Sequence, residues 1–437
     1  MTRVVSVRSL IAGWLLLAVI LTALLAVFSD QVTTLVPGAL IWLVSLLLLP
    51  ELRRTQRWQI GTLMSIGLIC LAVGEVRGTR PEFLQQAIGG NQMITSMLLA
   101  VSFLRLVAMA HVDADAALPS GRNSLIRTLF GVHLLGTVMN ISSVMIVGDR
   151  LSVAHRLNRV QAFTLLRGFS ACALWSPFFA SVGITLVGVP GAHLGILVAY
   201  GLPAALLVLL LTVWQLRRLP EAEHSEGYPI TFSALWLPVV LAVGVIIAHL
   251  LLPAVPVLTL VTLLALTFTA LWLLLTERSG GMKRLYVHVV SGLPHMAGEV
   301  LLFLAAAVLA SGAAAALESF DVKLVPDYFG VTAAWITLLI LIGLAIVGMH
   351  PVTTVALAAG VLAPHVEDAN LLALTLLFGW GLGVCFSPFS GIQLTLQARY
   401  LIRMRDLAAQ NLPTALPLTG IAFATLYLYS RLSGQGG

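Results

Sequence analysis

The sequence predicts an all-α polytopic membrane protein, and three observations predict it. Hydrophobic residues fill 59% of the 437 positions and charged residues only 10%, whereas an ordinary soluble domain carries about 25% charged residues. The apolar residues gather into runs of roughly 20, the length a helix needs to cross the hydrocarbon core. Lys and Arg cluster after alternate runs, as residues retained on the cytoplasmic side do. Soluble enzymes, secreted disulfide scaffolds and nucleic-acid binders are thereby excluded. The net charge of +6 matters through its placement, and Cys70, Cys172 and Cys385 all lie in apolar stretches, which suggests neither a disulfide framework nor a zinc site.

The elements follow in order. Arg3 and Arg8 precede an apolar run from about 10 to 28 that resembles a signal peptide, but no small-residue cleavage site follows and a second run starts at about 33. An uncleaved first span over 1–32 is the expectation. Further runs lie at about 33–50, 59–75, 92–110, 192–216, 231–252, 254–276, 286–312 and 411–430. Arg3 and Arg8, then Arg53, Arg54 and Arg57, then Arg122 and Arg127 mark successive returns to the inside. The next apolar stretch is bounded on both sides by basic residues, since Arg150, Arg156 and Arg159 follow it; a re-entrant hairpin at about 124–149 satisfies this pattern where a single crossing does not. A crossing at about 160–189 and another to Arg217 and Arg218 complete the first half, 33–218, and 219–230 is a cytoplasmic linker. The second half, 231–437, returns inside at Arg278, Lys283 and Arg284 and goes out to Glu318, Asp321 and Asp327. There a second hairpin at about 331–363 opens to a loop with Glu367 and Asp368, and a crossing at about 371–398 returns to Arg399, Arg403 and Arg405. The expected sum is eleven crossings and two oppositely directed hairpins, N-terminus in and C-terminus out.

An internal repeat carries the functional signal. Ser176-Pro177-Phe178 and Ser387-Pro388-Phe389 each sit in the middle of a crossing, and 34 residues before each serine begins a hydroxyl pair, Ser142-Ser143 and Thr353-Thr354. Asn140 stands just before the first pair and His350-Pro351 before the second, while Gly90-Asn91 and Gly298-Glu299 start the preceding span of each half. Three landmarks recurring in one order, on hairpins entering from opposite sides, define an inverted-topology repeat. Pro177 and Pro388 remove a backbone donor in mid-helix and interrupt their crossings. The orphaned groups are tolerated in a membrane only where protein, water or an ion satisfies them. Broken helices facing hairpin tips therefore make a polar cavity, in which positive helix N-termini suit an anion and unwound carbonyls and hydroxyls suit a small cation.

Each landmark also has a plainer reading. An isolated Ser-Pro is a structural kink, and its duplication in register is what favours a site. Ser142, Ser143, Thr353 and Thr354 as packing hydroxyls, Asn140 as a cap and His350 as a satisfied tip residue are the alternatives. Glu299, an acid within an apolar run, is a candidate for proton coupling. Arg105 and Arg167 read most simply as cations snorkelling toward the cytoplasmic face, and the run from Arg150 to Arg167 as a solvated inner face. His133, His155 and His193 lack metal-ligand spacing.

The arrangement resembles the ion transporter superfamily, in particular divalent anion/sodium symporters of the DASS type, as topology over about residues 10–430. That family's hairpin tips carry Ser-Asn-Thr; Asn140, Ser142 and Ser143, and Thr353 and Thr354, match it in chemical type only. The resemblance implies a homodimer with a fixed scaffold and an elevator movement, here of the hairpins with 160–216 and 371–430. The expected function is secondary transport of a small anionic solute such as an organic acid, coupled to Na+ or H+, in a bacterial inner membrane, without a cofactor or nucleic-acid partner. One half-site comprises Asn140, Ser142, Ser143, Ser176 and Pro177, and the other His350, Thr353, Thr354, Ser387 and Pro388. An integral membrane enzyme acting on a lipid-linked substrate and a channel are the alternatives; the former ordinarily needs a larger extramembrane loop than 111–123 or 217–230 provides.

Overall fold

The structure, a computed structural model, describes residues 6–108, 118–153, 155–228, 236–322 and 328–434. Arg3, Asp327 and the start of the expected span at 231 lie outside them. The first ten helices are α1 (Val7–Phe28), α2 (Leu35–Leu48), α3 (Arg54–Val76), α4 (Glu82–Gly89), α5 (Gln92–Ala108), α6 (Arg122–Met139), α7 (Ile141–Leu151), α8 (Arg159–Cys172), α9 (Ala180–Gly188) and α10 (Leu194–Arg218). The remaining ten are α11 (Trp236–Leu251), α12 (Val257–Glu277), α13 (Ser279–Val287), α14 (Ala297–Ser319), α15 (Val331–Ile346), α16 (Pro351–Leu362), α17 (Ala369–Phe386), α18 (Gly391–Tyr400), α19 (Met404–Asn411) and α20 (Ala415–Leu432). Among the described residues the fold is all-helical, with one isolated antiparallel bridge between Ser120 and Glu226.

Among the described residues eight helical segments are long and apolar enough to cross a membrane, and the chain is an integral multi-pass membrane protein. They fall on eight of the expected crossings. Of the other three, α2 and α11 are shorter apolar helices, and 160–189 is divided into α8 and α9 by its interruption. The expected run at 286–312 proves to be part of a longer path, Ser279–Ser319. A π-helical turn at His288–Gly292 and a 3-10 turn containing Pro294 carry the backbone from α13 into α14. Proline cannot donate to the preceding turn, which is why the α-helix restarts only at Ala297.

The chain forms two compact units. One comprises Met1–Ala110, Leu241–Leu324 and Ala356–Pro364, the other His111–Val240, Val325–Val355 and His365–Gly437, so each unit draws on both halves of the sequence. In the first, apolar residues of α1, α2, α3, α5 and α14 make a continuous core around Leu16, Val44, Leu99 and Leu304. Helices α3 and α14 touch backbone to backbone: a Cβ on Gly67 would fall 2.7 Å from the Val308 carbonyl, and one on Gly312 2.2 Å from that of Gly67. Small residues permit this approach, which in lipid replaces the hydrophobic drive as the source of helix cohesion. Asn91, at φ +60 in the break between α4 and α5, donates through Nδ2 to the Phe303 carbonyl of α14 at 2.9 Å.

The second unit contains both hairpin tips. Helix α6 runs alongside α8 in the same direction, with Gly168 against Leu129 and Val132, and Gly136 against Cys172. Helix α15 runs alongside α17 in the same sense, Gly379 against Leu341 and Gly383 against Ala345. The two pairs then cross. Cys385 Sγ donates to Ser170 Oγ at 2.9 Å and Gly381 lies on Leu174, so α8 and α17 are antiparallel. An Asn158–Gln161 capping box starts α8, and buried Asp368 caps α17 by accepting from Asn370 and Leu371 N–H at 3.0 Å. The segment expected as a linker is docked on these helices: Gln161 Nε2 donates to the Glu226 carbonyl and Tyr228 N–H to Thr128 Oγ1. Beside it Arg159 pairs with Glu221, which raises the guanidinium pKa further.

Candidate functional site

The first interruption separates α8 from α9 at Ser176-Pro177-Phe178. Buried Ser176 donates from Oγ to the Thr137 carbonyl at 2.5 Å and accepts from Phe178 N–H at 3.3 Å. Asn140, the one residue between α6 and α7, takes φ +53 and donates through Nδ2 to the Phe178 carbonyl at 3.2 Å. Asparagine is among the few residues that tolerate positive φ. It here turns the chain and, with its side chain, reaches the break beside it. Ser143 is buried and donates back to the Asn140 carbonyl at 2.8 Å, while Ser142 is half-buried.

The second interruption repeats this scheme. Ser387 is buried, donates from Oγ to the Met349 carbonyl at 3.4 Å and accepts from Phe389 N–H at 3.3 Å. Between α15 and α16 the turn is made by Gly348 at φ +106, where an added Cβ would fall 2.9 Å from the Phe389 ring. Pro351 opens α16, where its missing N–H costs nothing. Half-buried His350 accepts through Nδ1 from Val352 N–H at 3.1 Å, and Thr354 donates to the Pro351 carbonyl at 3.2 Å. Thr353 Oγ1 is buried and has no hydrogen-bond partner among the described residues.

The carbonyls freed by the two breaks are largely satisfied from within. Ser181 covers that of Ala173 at 2.6 Å. At the second break Ser390 covers Val384 at 3.0 Å, Gln393 and Asn411 both reach Cys385 at 2.7 and 3.1 Å, and Gln397 reaches Pro388 at 3.1 Å. Hydroxyls and amides, with Thr353 the buried one to spare, are thus the chemistry presented at the tips. A second link joins the same elements farther along: Arg399 makes a bidentate pair with Asp149 at 2.6 and 2.7 Å, and Tyr400 donates to Asp149 at 2.8 Å, tying α7 to α18.

Eight of the expected site residues lie on the two tips and two breaks of one unit, together with half-buried Pro177 and Pro388; Ser142 is the most accessible hydroxyl among them. Glu299 stands apart, exposed in the first turn of α14 in the other unit. Arg105 is exposed, as a snorkelling residue would be, but Arg167 is not. Its side chain is fully buried, with Nε donating to Asn411 Oδ1 at 2.9 Å, Nη2 to Thr414 Oγ1 at 2.5 Å and the guanidinium 5.1 Å from the Phe163 ring. The snorkelling reading fails because α8 packs on all sides within its unit; every residue from Val160 to Cys172 is buried, so no face reaches the headgroups. Asn411, Thr414 and Gln393 carry no sequence signal of their own, whereas Phe178 and Phe389 were written into the repeated tripeptide.

No protein-family model matches the chain, and no curated protein sequence matches it. Among solved structures, the crystal structure of the YdaH transporter of Alcanivorax borkumensis, described as having an unusual topology, is similar at 16% identity and TM-score 0.44, covering 99% of each chain. At that score the likeness decides neither fold nor function.

Proposed function

We propose that the chain is a secondary active transporter of a small anionic solute of the organic-acid type, driven by a Na+ or H+ gradient. The observation that carries this reading is the duplicated clamp: in one compact unit, the serine of each Ser-Pro-Phe bend bonds the tip carbonyl of the hairpin beside it. Two interrupted helices with polar tips at their breaks are what a solute site at mid-membrane requires. The antiparallel crossing of α8 and α17 supports an inverted repeat, because equivalent helices of inverted halves run in opposite directions.

On this reading the unit holding both tips is the moving part of an elevator and the other unit is the scaffold. The division between units supports this, since it gathers the hairpin tips with 160–216 and 371–430 and leaves α1–α5 and α12–α14 together. The architecture then resembles that of divalent anion/sodium symporters, which also implies a homodimer in a bacterial inner membrane. Ser142, Ser143, Thr353, Thr354 and Asn140 supply neutral oxygens for solute or cation, and a proton-coupled route uses His350 or Glu299.

The test is uptake of labelled mono- and dicarboxylates into proteoliposomes, with sodium and proton gradients imposed separately. Saturable accumulation under one gradient is expected. Accumulation of no anion under either gradient, or large unitary currents in a planar bilayer, overturns the proposal.

A further inference from the structure

Arg167 is fully buried, and none of the ion pairs among the described residues includes it. A guanidinium stays charged at any accessible pH, and its burial without a counter-charge is strongly unfavourable. Its protein partners are neutral. Asn411 Oδ1 and Thr414 Oγ1 take Nε and Nη2 and fix the plane of the fork, but they leave the positive charge uncompensated and Nη1 without an acceptor among the described residues. Two of the three nitrogens are thus used to orient the third.

The position connects this charge to both interruptions. Arg167 lies in α8, which ends at the first break, and Ser170, one turn farther on, takes the thiol of Cys385. Asn411, which holds Nε, donates its own amide to the Cys385 carbonyl two residues before Ser387. Arginine is suited to such a place, since its planar, weakly hydrated cation recognises carboxylates.

We propose that Arg167 is the anion receptor of this unit, taking a carboxylate oxygen of an organic acid on Nη1. This deepens the transport reading by moving the charge-bearing contact from the helix N-termini at the tips to a fixed side chain. The inference rests on that reading only for the statement that the bound anion is the one carried.

The experiment is thermal unfolding of the full-length protein in detergent, titrated with acetate, succinate, phosphate or chloride as choline salts, for wild type, Arg167→Gln and Arg167→Lys. A saturable rise in midpoint is expected for a carboxylate in the wild type and none in R167Q, with half-saturation in R167K weakened about tenfold or more because the fork is lost. R167Q in anion-free buffer is expected to unfold no earlier than wild type, since it removes an uncompensated charge; an Arg serving only as a structural anchor would give the opposite. If R167Q does not fold, R167K carries the test. No saturable rise in wild type, or an unchanged response in R167K or R167Q, overturns the proposal, and a rise with phosphate or chloride alone overturns its carboxylate assignment. The two readings fail separately: uptake by R167Q with unchanged KM removes Arg167 and spares transport, whereas Arg167-dependent binding without uptake removes transport and spares the receptor.

Discussion

The two hairpin tips are built to one plan and held with different strength. At the first, Ser176 bonds the Thr137 carbonyl at 2.5 Å, and Asn140 adds a second bond to the Phe178 carbonyl from the tip itself. At the second, Ser387 reaches the Met349 carbonyl at 3.4 Å, near the limit of a hydrogen bond, and the tip residue is a glycine resting on an exposed Phe389 ring. Directional bonds hold the first tip, while a long bond, the Gly348–Phe389 ring contact and the packing of Pro351 on Gly383 hold the second. Local opening follows the weakest contacts, so the second tip is expected to open at lower cost than the first.

The largest expected effect comes from making the loose tip unable to form. Gly348 sits at φ +106, and a Cβ there would fall 2.9 Å from Phe389. Gly348→Ala is expected to cost about 1–3 kcal/mol from the backbone conformation alone, with ring displacement added. The double variant with Phe389→Ala separates the two contributions: a coupling of about 1 kcal/mol in thermal or denaturant unfolding is expected if the ring seats the tip. Strict additivity would show that Phe389 does not hold it, and the contrast between the tips would lose its second half.

A smaller and more direct comparison removes each serine. Ser176→Ala leaves the buried Thr137 carbonyl and Phe178 N–H short of a partner and is expected to cost about 1–3 kcal/mol. Ser387→Ala gives up a bond already stretched to 3.4 Å, and about 0.5 kcal/mol or less is expected. Unfolding midpoints of the two variants check the order. Equal losses would mean that the tips are held alike and that the difference in bond length carries no energy.

Much of this region was legible in the chain. Proline in mid-helix, a hydroxyl pair at fixed distance and basic residues on both sides of an apolar run each have one local physical cause, so Ser176, Ser387, Asn140 and Thr353 were found from spacing alone. Arg167 was misread because snorkelling and burial differ only in what surrounds α8, and that is settled by helices far along the sequence, such as α17 and α19. Asn411 shows the same limit: as an amide near a helix end it looks like a cap, and only the fold places it between Arg167 and Cys385. The division of α13 and α14 by a π-helical turn was hidden for a different reason, since hydropathy is continuous across it and only Pro294 marks the spot.

The smallest expected effect on stability is the most informative about the site. Thr353 Oγ1 is buried without a partner, so Thr353→Val exchanges an unsatisfied hydroxyl for a methyl of the same shape and is expected to change unfolding by less than about 0.5 kcal/mol. At the tighter tip the corresponding hydroxyls include Ser143, already committed to the Asn140 carbonyl. Among the buried tip hydroxyls, Thr353 is thus the one free to bind something. A ligand role therefore predicts that T353V, with unchanged stability, raises the concentration of solute or coupling cation needed for half-maximal uptake. T353V with the wild-type dependence on both would make Thr353 a packing residue and leave the second tip's chemistry to His350 and the backbone.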